Sequence, residues 1–441
     1  MLQNRKEEMR TLASALRKEL KHFEHLGVNK DLDPEIFRPL RTRLNGTPLR
    51  AYFAQKMYLI IRDRLGWNKK MHHSVSQNEA LFLVKIPFVF EGIITIQYLH
   101  NQILDRKNGV NSPATIANNL LIANILKDNL YEYIESAFPE SIQLKLTQTV
   151  RKAFKLVDIG QLIEKKHNTY QSFIQKDHLE EFQFAATMDP CIDFEGLEDF
   201  MDQLKSDLPR SLWEFTELYL KRIYLTCAAL FTLNTSFLCD TLGIHQEEKK
   251  KLMKFATAYG MMRQIINDNA DWVPASYELS TLSKLPEDAF SDLKNRNITL
   301  PLIFHLAESP RSIIAQWLAG SQKTLTASQE QEFALAILSD HSIFKSIQLS
   351  RLLATIANTF LEGEGEAEML LSDTSQIAWW NKFLAPVIKT EAYKAYRKTG
   401  NYKRLKRLIA RQTTLPTLSP IDEAIENEKK PVFWPLKLSL K

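Results

Sequence analysis

Apolar residues recur at helical spacing along most of the chain, in long amphipathic runs. Turn-forming clusters interrupt them at Gly27 to Pro34, Gly109 to Pro113, around Pro190, Pro274 to Pro286, Ser309 to Ser312 and Thr413 to Pro420. No strand-and-turn alternation competes with this pattern and no fixed repeat stands out. The reading is an all-α protein, a large antiparallel helical bundle whose facing side chains surround a central cavity. The most apolar window, Ile223 to Cys239, carries no charge but is broken by Thr, Asn and Ser. It falls short of the roughly 20 apolar residues that span a bilayer, so it predicts a buried central helix.

Composition supports the helical reading. The 441 residues are 44% hydrophobic and 25% charged, with only 13 glycines, which suits folded helices and excludes a disordered chain. Cys191, Cys227 and Cys239 lack CxxC spacing, which argues for a reduced, cytoplasmic compartment and against a zinc site. The amphipathic, charged start is read as a mature helix rather than a signal peptide. A net charge of +5 is too small to imply nucleic acid but suits an anionic substrate or a visit to a membrane surface. The basic stretch Lys389 to Gln412 reads as a solvated helix face or as peripheral contact with a membrane or an anionic partner.

Two segments carry candidate metal chemistry. In EGIITIQYLHNQILD, Asn101 and Asp105 are four residues apart, with Arg106 and Lys107 following. In QIINDNAD, Asn267 and Asp271 repeat the spacing with Asp268 beside them. Oxygen ligands at i and i+4 share a helix face, so both reach one metal. Each segment also has a plainer reading, Asp105 as a helix C-terminal turn and NDNAD as a polar turn before Trp272 and Pro274. His100 on an apolar face reads as a core histidine or a lining residue. Tyr98, Phe231, Phe237 and Trp272 read as core or as aromatic walls facing a carbocation.

These segments, in this order, resemble the trans-polyprenyl diphosphate synthase branch of the class I isoprenoid synthases. QIINDNAD is similar to the family's second aspartate-rich motif, with Asn267 for its first aspartate. The helix ending at Asp105 is similar to the first motif's helix, with Glu91 at the expected offset; Asn101 and Gln102 replace two aspartates. DIGQ at Asp158 to Gln161 resembles the family's glycine-glutamine turn, and Thr226 the threonine of its lysine-threonine pair. Leu225 replaces the lysine, and Lys221 lies one turn earlier on the same face. DLKNRNITLPLI, Asp292 to Ile303, resembles the segment that closes over pyrophosphate, with Arg296 and Asn297 where the family has glycine and lysine. NGTPLRAYF at Asn45 to Phe53 resembles the start of the isopentenyl diphosphate site. There Thr47 and Pro48 replace cations, Arg50 is retained, and Ile94 replaces a histidine.

The resemblance implies an isoprenoid synthase-type bundle at 45–306, an N-terminal extension at 1–44 and a C-terminal helical appendage at 307–441. It implies Mg2+ held by Asp105, Asp268 and Asp271 with Asn101 and Asn267, and a diphosphate held by Arg50, Arg106, Lys107, Lys221, Lys294 and Arg296. Gln161, Gln264 and Thr226 would orient the substrate or a metal-bound water, His100 and Tyr98 would line the cavity, and a homodimer is implied. The eroded acceptor site favours ionisation of one prenyl diphosphate in the manner of a terpene synthase, whereas the overall resemblance favours prenyl transfer. Chain elongation and a catalytically silent regulatory subunit are the alternatives.

Overall fold

The computed structural model describes residues 2–65, 79–105, 112–167, 210–272, 289–322 and 324–340, with isolated positions from 342 to 361. Arg106, Lys107, Cys191 and the basic stretch Lys389 to Gln412 lie outside the described residues. Among the described residues the architecture is all-α, without a β-strand. The chain divides into two compact units. The first contains Met1–Lys165, Arg222–Gln264 and the described positions of Arg351–Thr374. The second contains Ile265–Ser350 and the described part of Lys166–Lys221.

The first unit opens with α1 (Leu2–Glu24), two 3-10 turns, α2 (Arg38–Asn45) and α3 (Leu49–Arg64). A π-helical turn at Leu81–Lys85 leads into α4 (Ile86–Asp105), followed by α5 (Pro113–Ala137) and α6 (Glu140–His167). Ser112 starts α5: its side chain accepts from the Thr115 amide at 3.1 Å, and Pro113 occupies the first helical position, where a missing N–H is harmless. Helix α4 packs against α3 and α5, and α1 packs against α2 and α4. Phe23, Phe88, Tyr133 and Phe138 interlock edge to face across these helices, ring centroids 5.3 to 5.8 Å apart.

Helix α7 (Arg210–Ile223) continues through a second π-helical turn, Tyr224–Ala228, into α8 (Ala229–Leu242). Gly243, at φ 74, ends α8 in the left-handed conformation that glycine adopts without strain. Then comes α9 (Gln246–Ala270). Within the first unit α8 packs on α3, and Phe53, Phe231 and Tyr259 stack at 4.7 to 5.2 Å. The second unit carries the short α10 (Ser291–Lys294), α11 (Leu300–Glu308), α12 (Ile313–Ala319) and α13 (Ala327–Ser339), with α13 packed on α11.

The apolar window belongs to a longer element than its composition predicted. Thr216–Leu242 is continuous helix and, like Leu81–Asp105, is long and apolar enough to cross a membrane. In this fold 78% and 72% of the two apolar windows are buried against protein, so both helices serve as core. The predicted buried central helix is therefore present, and the polar interruptions do not break it.

Cys239 lies in that core, and its thiol is pushed up from 9.0 to about 12. Burial is the main cause, opposed by Lys249 and Arg64 and reinforced by Asp240. Unfolding therefore lets a proton leave between pH 9 and 12 that the folded state retains, and stability falls as pH rises through that window, by about 1.4 kcal/mol per unit. At pH 8 iodoacetamide should leave Cys239 unmodified in the folded protein and alkylate it in denaturant, as peptide mass spectrometry would show.

Candidate active site

Helix α4 is almost wholly buried, yet one stripe of it is open. Ile94, Tyr98 and Asn101 succeed each other at helical spacing and are partly or fully exposed, while Glu91, Thr95, Gln97 and Leu99 around them are buried. Asp105 ends the stripe at 7% exposure. The first predicted motif thus begins on an accessible stripe of a core helix, whose last turn is open more widely at Gln102, Ile103 and Leu104. His100 sits beside that face, its Nδ1 3.7 Å from Asp158 Oδ1, and Gln97 donates to the same oxygen at 3.3 Å.

Glu91 has a structural task. Its buried carboxylate receives Arg43 Nε at 2.6 Å and the Ala51 amide at 2.9 Å, which fixes the junction of α2 and α3 against α4. That junction carries Arg50. The guanidinium of Arg50 lies 5.1 Å above the Phe231 ring and donates through Nη2 to Cys227 Sγ at 3.3 Å. Its Nε is buried without a partner among the described residues.

The turn Tyr224–Ala228 is where the scattered matches of the first unit meet. A Cβ on Gly160 of α6 would lie 2.8 Å from both Leu225 Cβ and Thr226 Cγ2. A Cβ on Gly260 of α9 would lie 2.6 Å from Ala228 Cα. Two helices therefore close on the π turn at positions where any side chain would collide with it. Gln161 is buried next to Gly160, and Thr226 holds its rotamer by donating to the Arg222 carbonyl at 3.1 Å. Asp158 to Gln161, matched to a turn in the resemblance, is continuous helix inside α6; the glycine there serves close packing, not a change of direction. Arg50 thus reaches the turn through Cys227, Thr226 belongs to it, and Gln161 is buried next to the Gly160 contact.

The carboxylates are engaged by protein. Lys165 Nζ lies 2.6 Å from Asp105 Oδ1, and beside it Arg222 donates to Glu164 at 2.5 Å. In the second unit Tyr219 donates to Asp268 Oδ2 at 2.7 Å. Asp271 accepts the Ser291 amide at 3.2 Å, the Ser291 hydroxyl at 2.9 Å and the Asp292 amide at 3.0 Å. It acts as a cap for α10, binding the second aspartate-rich segment to the start of the predicted closing segment. Asn267 is exposed and Gln264 half-buried.

The predicted cations are also held. Lys221 pairs with Glu217 at 2.5 Å, one helical turn away. Lys294 donates to the Ala289 carbonyl at 2.7 Å and lies 3.3 Å from Glu330. Arg296 adopts φ 60, the left-handed backbone that explains a glycine at the matching family position. Its guanidinium donates to the carbonyls of Leu318, Gly320 at 2.5 Å and Gln322 at 3.1 Å, around the end of α12, and lies over Trp317. The left-handed backbone costs about 1–2 kcal/mol. Bonds from a charged donor contribute about 1.5 kcal/mol or more each before solvent screening, so they outweigh it.

As placed, the carboxylates that the resemblance assigns to magnesium are each engaged by protein donors. Among the described residues no group of three or more His, Cys, Asp or Glu side chains gathers as a metal site. The lone pairs of Asp271 are largely taken, and Asp105 is shared with an ammonium. Sequence reasoning missed Lys165, Tyr219 and Glu330. Lys165 lies four residues after Gln161, one helical turn on, and that spacing is the one signal that could have pointed to it.

No family model matches the sequence, and no curated protein matches it. Solved structures do. A decaprenyl diphosphate synthase from Rhodobacter capsulatus superposes with a TM-score of 0.57 at 13% identity, covering 85% of this chain and 98% of that one. A heptaprenyl diphosphate synthase from Staphylococcus aureus gives 0.54 at 17% identity, covering 85% and 97%. A polyprenyl synthase from Caulobacter crescentus CB15, complexed with calcium and isoprenyl diphosphate, gives 0.54 at 16% identity, covering 83% and 97%. The chain therefore has the all-α fold of the polyprenyl diphosphate synthases, as the sequence resemblance implied.

The Asp271 cap is directly testable. Asp271→Ala should destabilise the protein by about 1–3 kcal/mol. Hydrogen exchange should accelerate at the Ser291 and Asp292 amides, which lose their acceptor, and not at the α3 amides.

Proposed function

We propose that this protein is an isoprenoid enzyme that binds a prenyl diphosphate and releases pyrophosphate, with residues 45–306 as its catalytic body. The observation that supports the reading is that Arg50 and Thr226, far apart in sequence, come to the same glycine-clamped turn, Tyr224–Ala228, with Gln161 buried next to the Gly160 contact. The fold agrees, and the Caulobacter neighbour was solved with the ligand class proposed. Arg50 would attract the diphosphate, since its guanidinium has no carboxylate partner among the described residues and so keeps its charge available for an anion. Tyr98 and Ile94 would offer the prenyl chain an apolar wall along α4.

The proposal includes the magnesium requirement that the resemblance implies. The purified chain, given geranyl, farnesyl or geranylgeranyl diphosphate with magnesium, should release pyrophosphate, and Asp268→Ala should reduce the rate by about 100-fold or more. Hydrocarbon or alcohol formed without isopentenyl diphosphate would indicate terpene synthase-like ionisation. Longer diphosphates formed only with it would indicate chain elongation. No release under any condition would defeat the enzymatic reading.

A second reading, a catalytically silent subunit of an active synthase, has one observation in its favour. Asp105, the sole carboxylate of the first motif, is ion-paired with Lys165. Recovery of activity by a partner synthase, with none in the isolated chain, would support it.

The proposal extends to a homodimer. Leu120, Leu121, Leu144 and Leu162 on α5 and α6 are 46 to 67% exposed, an unusual display of large apolar side chains. Sedimentation should give twice the 51.0 kDa chain mass, and Leu121→Lys combined with Leu144→Lys should return it to one.

A further inference from the structure

Away from the residues discussed so far, the second unit holds a serine, a histidine and an aspartate in a chain of hydrogen bonds. His305 lies on α11, and the turn from Ser309 to Ser312, closed by the Ser312 amide on the Ser309 carbonyl at 3.0 Å, returns Ser312 to the imidazole. Ser312 Oγ is 2.8 Å from His305 Nε2. On the other side, His305 Nδ1 bonds to Asp340 Oδ2. The second oxygen of Asp340 accepts the Ser342 amide at 3.0 Å, which fixes the carboxylate in place.

The proton positions follow from the partners. A carboxylate only accepts, so the imidazole carries a proton on Nδ1, and in its neutral form the ring presents a lone pair at Nε2. Ser312 must then donate its hydroxyl proton to Nε2. The same oxygen accepts the Ala315 amide at 3.2 Å as the cap of α12, but capping uses a lone pair and leaves the proton directed at the histidine. A serine needed only as a cap has no use for an oriented base, and the base no use for a carboxylate. His305 is 2% exposed, whereas Ser312 is half-buried beside exposed Arg311 and Ile313, so the ring is held in the interior while the hydroxyl, and with it the Nε2 edge, is reached from the Ser312 side.

We propose that Ser312, His305 and Asp340 form a second catalytic centre, a serine esterase site for carboxylic esters with an apolar acyl group, distinct from prenyl diphosphate chemistry. Ser312 Oγ attacks the ester carbonyl carbon as its proton passes to Nε2. The bond to the alcohol oxygen breaks, and the imidazole returns the proton to the departing alcohol. Water, deprotonated by the same nitrogen, then attacks the acyl-serine, releasing the carboxylic acid and restoring the hydroxyl. Asp340 is a positioning residue that keeps the imidazole in the reactive tautomer.

The full-length protein treated with a fluorophosphonate should carry one adduct, on Ser312 by peptide mass spectrometry, and should hydrolyse p-nitrophenyl butyrate. Asp340→Asn, nearly isosteric, should slow labelling by at least about tenfold with an unchanged melting temperature, and Asp340→Glu, which restores the carboxylate, should recover it. Absence of an adduct on Ser312 in the wild-type chain overturns the proposal, as does labelling of Asp340→Asn at the wild-type rate. The wild-type measurement stands even where a variant fails to fold.

Discussion

The first unit depends on one steric constraint: helices α6 and α9 reach the turn Tyr224–Ala228 at Gly160 and Gly260, where a single methyl group would strike Thr226 on one side and the Ala228 backbone on the other. Close packing at these points is all-or-none, because neither neighbour is the flexible tip of a long side chain. The consequence reaches Arg50, whose position depends on Cys227 and Phe231, and Gln161, which follows Gly160 directly. The π-helical winding of the turn itself places Thr226 out of register with a regular helix, a device that recurs at functional sites.

Charge organisation follows a different rule. Lys221 with Glu217, Lys165 with Asp105, Arg222 with Glu164 and Lys294 with Glu330 are each neutralised locally. Arg296 satisfies a helix end rather than a carboxylate. Each of the last three pairs contains one buried partner, Asp105, Arg222 or Glu330, and a buried charge left unpaired costs several kcal/mol. Arg50 differs in having sulfur and an aromatic face for company.

Helical class and the buried apolar helix were legible in the sequence because each is local: periodicity fixes which residues share a face. Asp158 to Gln161 read as a turn, whereas it is continuous helix whose glycine serves a close approach, because composition cannot distinguish a helix crossing from a reversal. Asp271 was legible as a polar stop and not as the cap of α10, since its acceptors' partners lie twenty residues further on at Ser291. Lys165, Tyr219 and Glu330 escaped for the same reason: their meaning lies wholly in a partner that only the fold supplies. The glycine-to-arginine departure at Arg296 was visible, whereas its left-handed backbone and its hold on the end of α12 were not.

The pairing of Lys165 with Asp105 changes what any incoming metal would have to do there. A bare carboxylate welcomes a cation by simple addition, with the full attraction available. Here the carboxylate already holds a tethered ammonium at high local concentration, so any competing cation would act as an ion exchanger and would leave the lysine in want of a new counter-charge.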